Sequence, residues 1–393
     1  MQTLHQSPTG PGFVQDPYPF YERARAAGPF FLWADYDMIC TGNWAAVNAI
    51  FRDRRFGREA PAERAPAIPA HLAPFYAVEA HSMLELEPPR HTRLRFLVLR
   101  AFTSRRIAAL APEIATLSHQ LIDGLPPGKF DFLQHFGQKL PVIIIARLLG
   151  VPEAISDDLL RWSNAMVGMY MAGRTRARED AAVAATTDFV AFLRSYVEQR
   201  RVKPADDLIT SLIQAEEAGE KLSTDELITT CILLLNAGHE ATVHTIGNGV
   251  KALLQAKTPA TALAPDTIEA TVEEILRFDP ALHLFTRWAY EEVEVMGHRF
   301  ARGDQVALLL AAANRDPGPW ERPAKFDPAR PVKPISSFGA GLHFCVGAPL
   351  ARLELQIALP ILFERLPGLS LAEKPHYKDV YHFHGLERLM LNR

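Results

Sequence analysis

Ten residues from Phe338 to Gly347, Phe-Gly-Ala-Gly-Leu-His-Phe-Cys-Val-Gly, carry the sharpest chemical signal in this chain. They place Cys345 in a glycine-studded loop that runs into a helix predicted from Ala348 to about Leu366. Pro349 falls at the start of that helix, where its fixed φ fits and its missing N–H costs nothing. A cysteine just before a helix N-terminus meets the positive end of the macrodipole and free amides, and both favour the thiolate. Gly339, Gly341 and Gly347 let the backbone approach a flat, bulky group. One thiolate beside room for a planar group suits haem iron better than zinc, which requires more ligands. A structural cysteine buried beside a turn is the plain alternative.

The whole string, Phe-Gly-x-Gly-x-His-x-Cys-x-Gly, closely resembles the haem-thiolate loop of the cytochrome P-450 superfamily. The resemblance implies haem b (iron protoporphyrin IX) ligated by Cys345, with Phe338, Gly339, His343 and Gly347 around it. It also implies an oxidoreductase that inserts one atom of O2 into a small, apolar organic substrate.

Other motifs match the same family. Glu274 and Arg277 lie three apart and meet on one helix face. They resemble the family's Glu-x-x-Arg, and Arg330, in Phe326-Asp-Pro-Ala-Arg330, matches its third member. The resemblance implies a buried structural triad. His91 and Arg95, four apart on one helix, Arg287 on a strand and His343 in the loop match family residues that commonly hold the haem propionates. Buried propionates need such cationic or donor partners.

A long helix reads Asn236-Ala-Gly-His-Glu-Ala-Thr242 and resembles the Ala/Gly-Gly-x-Asp/Glu-Thr motif. By that resemblance Gly238 leaves space over the iron for dioxygen, and Glu240 is the acid of a proton-delivery pair. The partner alcohol normally follows, and here that residue is Ala241. Thr242 does not replace it, because one step turns a helical side chain by about 100°. A substrate hydroxyl or an ordered water is left to supply the group, or Glu240 with water suffices.

The resemblance places the substrate cavity among Phe75 and Tyr76; Met166, Met169, Tyr170 and Met171; Leu282, His283, Leu284 and Phe285; and Phe383 and His384. Electrons would come from a separate ferredoxin-type partner, with Arg93, Arg100, Arg105, Arg106 and Arg352 offering charge on the cysteine side. A haem-thiolate peroxygenase using H2O2 and a non-catalytic haem sensor are the rival functions. Known peroxygenase relatives carry Arg-Pro where this chain has Glu240-Ala241.

Composition agrees. The 393 residues are 48% hydrophobic, enough for a large core, and the net charge of −3 gives no reason to expect nucleic acid or an anionic membrane as partner. Three cysteines, Cys40, Cys231 and Cys345, show no paired spacing, which fits a reducing, cytoplasmic setting. The N-terminus lacks a signal-peptide pattern, and no apolar run is long enough to span a bilayer, so no membrane anchor is expected.

The expected fold is mainly α with a small β portion, the cytochrome P-450 fold, with haem between a long central helix and the cysteine-loop helix. It forms a single domain over 1–393, as a monomer, with residues 1–12 loose. Helical periodicity marks 92–102, 112–125, 157–173, 178–201 and 223–256. Capping boxes are predicted at Ser223/Glu226 and Asp266/Glu269. Strands are predicted over 32–41, 286–290, 293–296, 298–300 and 305–310.

Overall fold

The computed structural model describes residues 1–171, 173–217 and 222–393; residue 172, inside the helix predicted over 157–173, lies outside them. The helices that position the site are α1 (Arg90–Ala101), α2 (Ala111–Asp123), α3 (Lys139–Leu149), α4 (Ser156–Val167), α5 (Arg176–Val202), α6 (Thr224–Gln255), α7 (Ile268–Phe278) and α8 (Ala348–Arg365). The strands of the main sheet are β1 (Gln2–Leu4), β2 (Phe31–Trp33), β3 (Met38–Thr41), β4 (Phe56–Gly57), β5 (Leu284–Ala289) and β6 (Gln305–Leu309). Their order is β1-β2-β3-β6-β5-β4.

The central helix α6 begins as its sequence requires. The Ser223 hydroxyl accepts from the Glu226 amide at 3.2 Å, and the Glu226 carboxylate accepts from the Ser223 amide at 2.9 Å. Most of its 32 residues are buried on every face, so it crosses the interior rather than lying on the surface. It packs along α3, against α7 and onto α8. Helix α3 is not among the helices the periodicity predicts. Val142–Leu149 is apolar almost all round, so no polar face alternates with it.

Two local expectations fail. No side chain caps α7: its N-cap is Thr267, so the Asp266/Glu269 box does not form. The Thr267 hydroxyl instead donates to the Thr261 carbonyl at 2.6 Å, which closes the preceding turn. The first residues are not loose. Strand β1 pairs in parallel with β2, and the Trp33 indole N–H donates to the Gln6 carbonyl at 2.7 Å.

The sheet has a core on each face. Along β6, Val306 and Leu308 join a cluster with Phe51, Phe56 and Phe300, while Ala307 and Leu309 join one with Phe13, Phe20, Tyr21 and Trp33. A third and larger core lies among the helices.

The Glu274–Arg277–Arg330 triad ties the coil that leads to the cysteine loop. Arg277 grips Glu274 with two bonds of 2.7 and 2.8 Å and donates to the carbonyls of Asn314 and Pro323, each at 2.9 Å. Arg330 Nε adds a bond to Glu274 at 3.1 Å, and the Asp327 amide another at 2.8 Å. Removing one partner from such a buried network leaves the others uncompensated, at a cost of ~3–5 kcal/mol. Glu274→Ala should therefore lower the unfolding free energy by that amount, read as a lower urea midpoint at constant m-value, or leave no folded protein. A midpoint equal to wild type would show the network to be dispensable.

Candidate active site

The cysteine loop is shaped by backbone contacts. Gly341 adopts a φ of +68°, and a Cβ there would lie 2.1 Å from the Phe51 carbonyl oxygen, so only glycine fits. Gly339 also has a positive φ, +65°, whereas Gly347 is at an ordinary −79°. The Cys345 amide donates to the Phe338 carbonyl at 3.0 Å. The Phe338 ring lies under the Arg352 guanidinium, 4.6 Å from centroid to carbon. Arg95 reaches across from α1 and donates to the Phe344 carbonyl at 2.7 Å.

Cys345 is set deep among protein atoms, yet its surface is open. Burial pushes its thiol up; the amides of Gly347 and Ala348, aimed at the sulfur from the head of α8, and the cations Arg95 and Arg352 oppose that. The fixed dipoles thus stand ready to support negative charge on sulfur.

Helix α6 has a matching gap. Between Glu226 and Leu253 only Ala237 is exposed, and Leu233 and Ala241, four residues to either side, are half-buried. Residues at that spacing share a face, so this face of an otherwise buried helix borders open space. Gly238, the next residue, is also half-buried, but its Cα faces α3. A Cβ at Gly238 would come within 2.5 Å of Ile145 on α3, so this glycine serves close helix–helix packing. The small residue that leaves room is Ala237. Thr242 is turned to its own helix, where its hydroxyl approaches the Gly238 carbonyl at 3.5 Å. Thr245, one turn beyond Ala241, donates to the Ala241 carbonyl at 2.8 Å.

The expected propionate partners gather near Cys345. The His91 and His343 rings are 4.3 Å apart, and His343 Nε2 donates to Glu87 at 2.9 Å. Burial, with His343 and Arg95 alongside, brings His91 down to about 4. Arg287 is buried; burial and the neighbouring Arg58 bring it down to about 9, so it stays cationic at neutral pH. Its guanidinium donates to the Thr286 carbonyl at 2.7 Å and lies over Phe51, with no carboxylate in ion-pair contact among the described residues. The buried His91 Nδ1 and Arg58 Nε also lack partners. A buried cation and orphaned polar atoms beside an open thiol fit the anionic edge of haem.

Glu87 and Arg58 escape the sequence reading. Glu87 accepts from His343 and from the Arg58 amide at 2.7 Å, and Arg58 pairs with Glu85 at 2.7 Å. Gly57 makes the space, since a Cβ there would lie 2.6 Å from the Glu87 carboxylate. One glycine and one glutamate at this separation give no pattern to read.

The expected cavity segments do converge. Met166 accepts from Asn236 of α6 at 3.5 Å, Tyr170 donates to Glu79 at 3.0 Å and stacks on His382, and Leu282 bridges Phe383. His283 and His384 are not cavity walls. Both are buried in a network with Asp279, and His283 is bonded to Tyr21 at 2.8 Å. Of the arginines offered for docking, Arg93 pairs with Glu226, Arg106 with Asp206 and Arg352 with Glu273. Their charge is partly spent within the fold.

The geometry has close relatives. A cytochrome P450 family model matches residues 267–375. The polyketide biosynthesis cytochrome P450 PksS of Bacillus subtilis (strain 168) is 40% identical over 315 residues, 78% of this chain and 76% of that protein. The biotin biosynthesis cytochrome P450 of the same organism is 34% identical over 393 residues, 98% of each chain. The structure of P450BioI in complex with acyl carrier protein ligated to hexadec-9Z-enoic acid superimposes with a TM-score of 0.92 at 33% identity, covering 97% of this chain and 99% of that one. The chain belongs to the cytochrome P450 family. It is accordingly a monooxygenase that carries haem and works with O2, a redox partner and an organic substrate. No helix among the described residues is long and apolar enough to cross a membrane.

The position of Gly238 makes a prediction. Gly238→Ala should force α6 from α3 and destabilise the protein by ~1–3 kcal/mol. Adding Ile145→Ala, which vacates the space, should leave the double variant more stable than the sum of the single effects. Simple additivity in urea melts would place Gly238 elsewhere.

Proposed function

We propose that Cys345 ligates the iron of haem b and that the protein inserts one oxygen atom from O2 into an apolar substrate, with electrons from a ferredoxin and its reductase. The observation that carries this reading is Cys345 itself. Its sulfur is deep in the fold, open on one side and met by the Gly347 and Ala348 amides. When bound, haem supplies the oxygen chemistry, and thiolate ligation favours O–O cleavage.

The chain's own residues have definite tasks. Phe338, Gly339 and Gly347 shape the loop. Arg287, Arg95 and His91 hold the propionates. His343 supports them through Glu87, since its Nε2 is already engaged there. Ala237 keeps the distal face clear, and Glu240 carries the proton. Burial works to raise Glu240, but the His244 imidazole facing it, with Lys378 beyond, holds it below the usual carboxylate range, so it is ionised at neutral pH. Ala241 gives no hydroxyl, and Thr242 is turned away. A substrate hydroxyl or water must complete the relay.

The substrate reading is an apolar molecule of moderate size. Met166, Met169 and Phe75 give walls that adapt more than they specify. A structural relative, CYP267B1, was determined with myristic acid, which makes that acid a first probe.

With ferredoxin, reductase and NAD(P)H, turnover under 18O2 should place one labelled atom in each product molecule. Product from H2O2 alone at a comparable rate would favour a peroxygenase, and no product by either route a haem sensor. Ala241→Thr should raise product per NAD(P)H for a substrate without a hydroxyl near its reacting carbon, with less H2O2 released. Equal coupling in both proteins would show that water already fills the role.

A further inference from the structure

Glu240 sits between two imidazoles. His239 Nε2 lies 3.5 Å from one carboxylate oxygen, and His244 Nε2 lies 3.8 Å from the other. The two rings are not equivalent. His239 Nδ1 faces the Leu235 carbonyl at 2.7 Å, and a carbonyl only accepts, so that nitrogen holds the proton. Burial lowers His239 and keeps it neutral. Its Nε2 therefore presents a lone pair and has no proton to give.

His244 is arranged differently. Its Nδ1 is buried and has no hydrogen-bond partner among the described residues. The ring rests against Gly385 in the C-terminal turn, where a Cβ would come within 1.8 Å of that nitrogen. Phe383 flanks the ring, with centroids 6.2 Å apart. Beyond the turn lies a buried polar network. His384 Nε2 is 3.5 Å from Asp279, and Asp279 pairs with Lys251 at 2.8 Å and accepts from Tyr18 at 2.7 Å. Asn248, one turn after His244 on α6, donates to the carbonyls of Asp279 and His384, fixing the turn against the helix.

We propose that His244, seated by Gly385, is the residue through which protons reach Glu240. The inference rests on the reading of Glu240 as the proton-carrying acid. The imidazole takes a proton at Nδ1 from the solvent-derived supply and releases the Nε2 proton to the Glu240 carboxylate. Exchange of tautomers restores the ring, so one proton enters and one leaves, with no redox change. The 3.8 Å separation is longer than a hydrogen bond, as catalytic contacts often are before the working complex forms. The charged and titratable groups facing the pair are His239 on α6, Lys378 and His384 from the C-terminal segment, and Asp279, Lys251 and Arg315 behind His384. Gly385 is thus a positioning residue and His244 a partner of the acid.

The test uses the haem-loaded protein. In the diamagnetic ferrous–CO state with 15N-labelled histidine, the His244 signal is assigned by its loss in His244→Asn. Glu240→Gln should move the His244 Nε2 resonance, because that nitrogen faces the carboxylate. An unmoved resonance overturns the pairing. With excess ferredoxin, reductase and myristic acid present, NAD(P)H oxidation is followed in H2O and D2O. His244→Phe should slow it tenfold or more and alter the solvent isotope effect and pH profile, at normal haem content. Gly385→Ala should reproduce the effect by displacing the ring. Wild-type behaviour of His244→Phe overturns the proposal. If Glu240→Gln is then impaired, the reading of Glu240 survives; if it too is unimpaired, both fall.

Discussion

A thiol held inside a protein with one side open is the constraint on which the rest of this structure depends. Desolvation opposes charge on such a sulfur, so the fold surrounds it with fixed dipoles and cations. The Gly347 and Ala348 amides come from the head of α8, Arg95 from α1 and Arg352 from α8 itself. The loop follows this path because Gly341 tolerates both a positive φ and the carbonyl of Phe51. The coil before it is fixed by Glu274, whose carboxylate collects Arg277, Arg330 and the Asp327 amide. Each layer restrains the one nearer the sulfur.

The charges next to the sulfur follow the same logic. Arg287 is buried with no carboxylate paired to it among the described residues, while His343 is matched by Glu87 and Arg58 by Glu85. A buried, unpaired guanidinium is costly in a finished structure. It is economical where an anionic ligand completes it. On the other wall, Ala237 is the one exposed residue of α6 between Glu226 and Leu253. The open thiol, the unpaired cation and the cleared helix face answer three different demands of one planar, anionic group.

Much of this was legible in the residues. The loop string, Glu274 with Arg277, and the Ser223 box all rest on short-range patterns with a direct mechanical cause, and the structure shows the local geometry they require. Gly238 shows how a motif misleads. Its neighbour Ala237, four residues before Ala241, is the one that helical arithmetic puts on the same face, and Ile145 on a distant helix decides the matter. Helix α3 was hidden because burial on all sides erases periodicity. Glu87, Arg58 and the packing of His244 on Gly385 depend on long-range contacts that one sequence does not encode in any spacing. His283 and His384 were drawn away from the cavity by Asp279, which belongs to neither predicted segment.

The central claim is that the Cys345 sulfur, as thiolate, is the protein's bond to haem iron. The absorption spectrum of the purified, reduced protein under carbon monoxide tests it most directly. The account predicts the red-shifted Soret band of thiolate ligation, moved in Cys345→His to the position of histidine-ligated haem. An identical spectrum in the two proteins would contradict it.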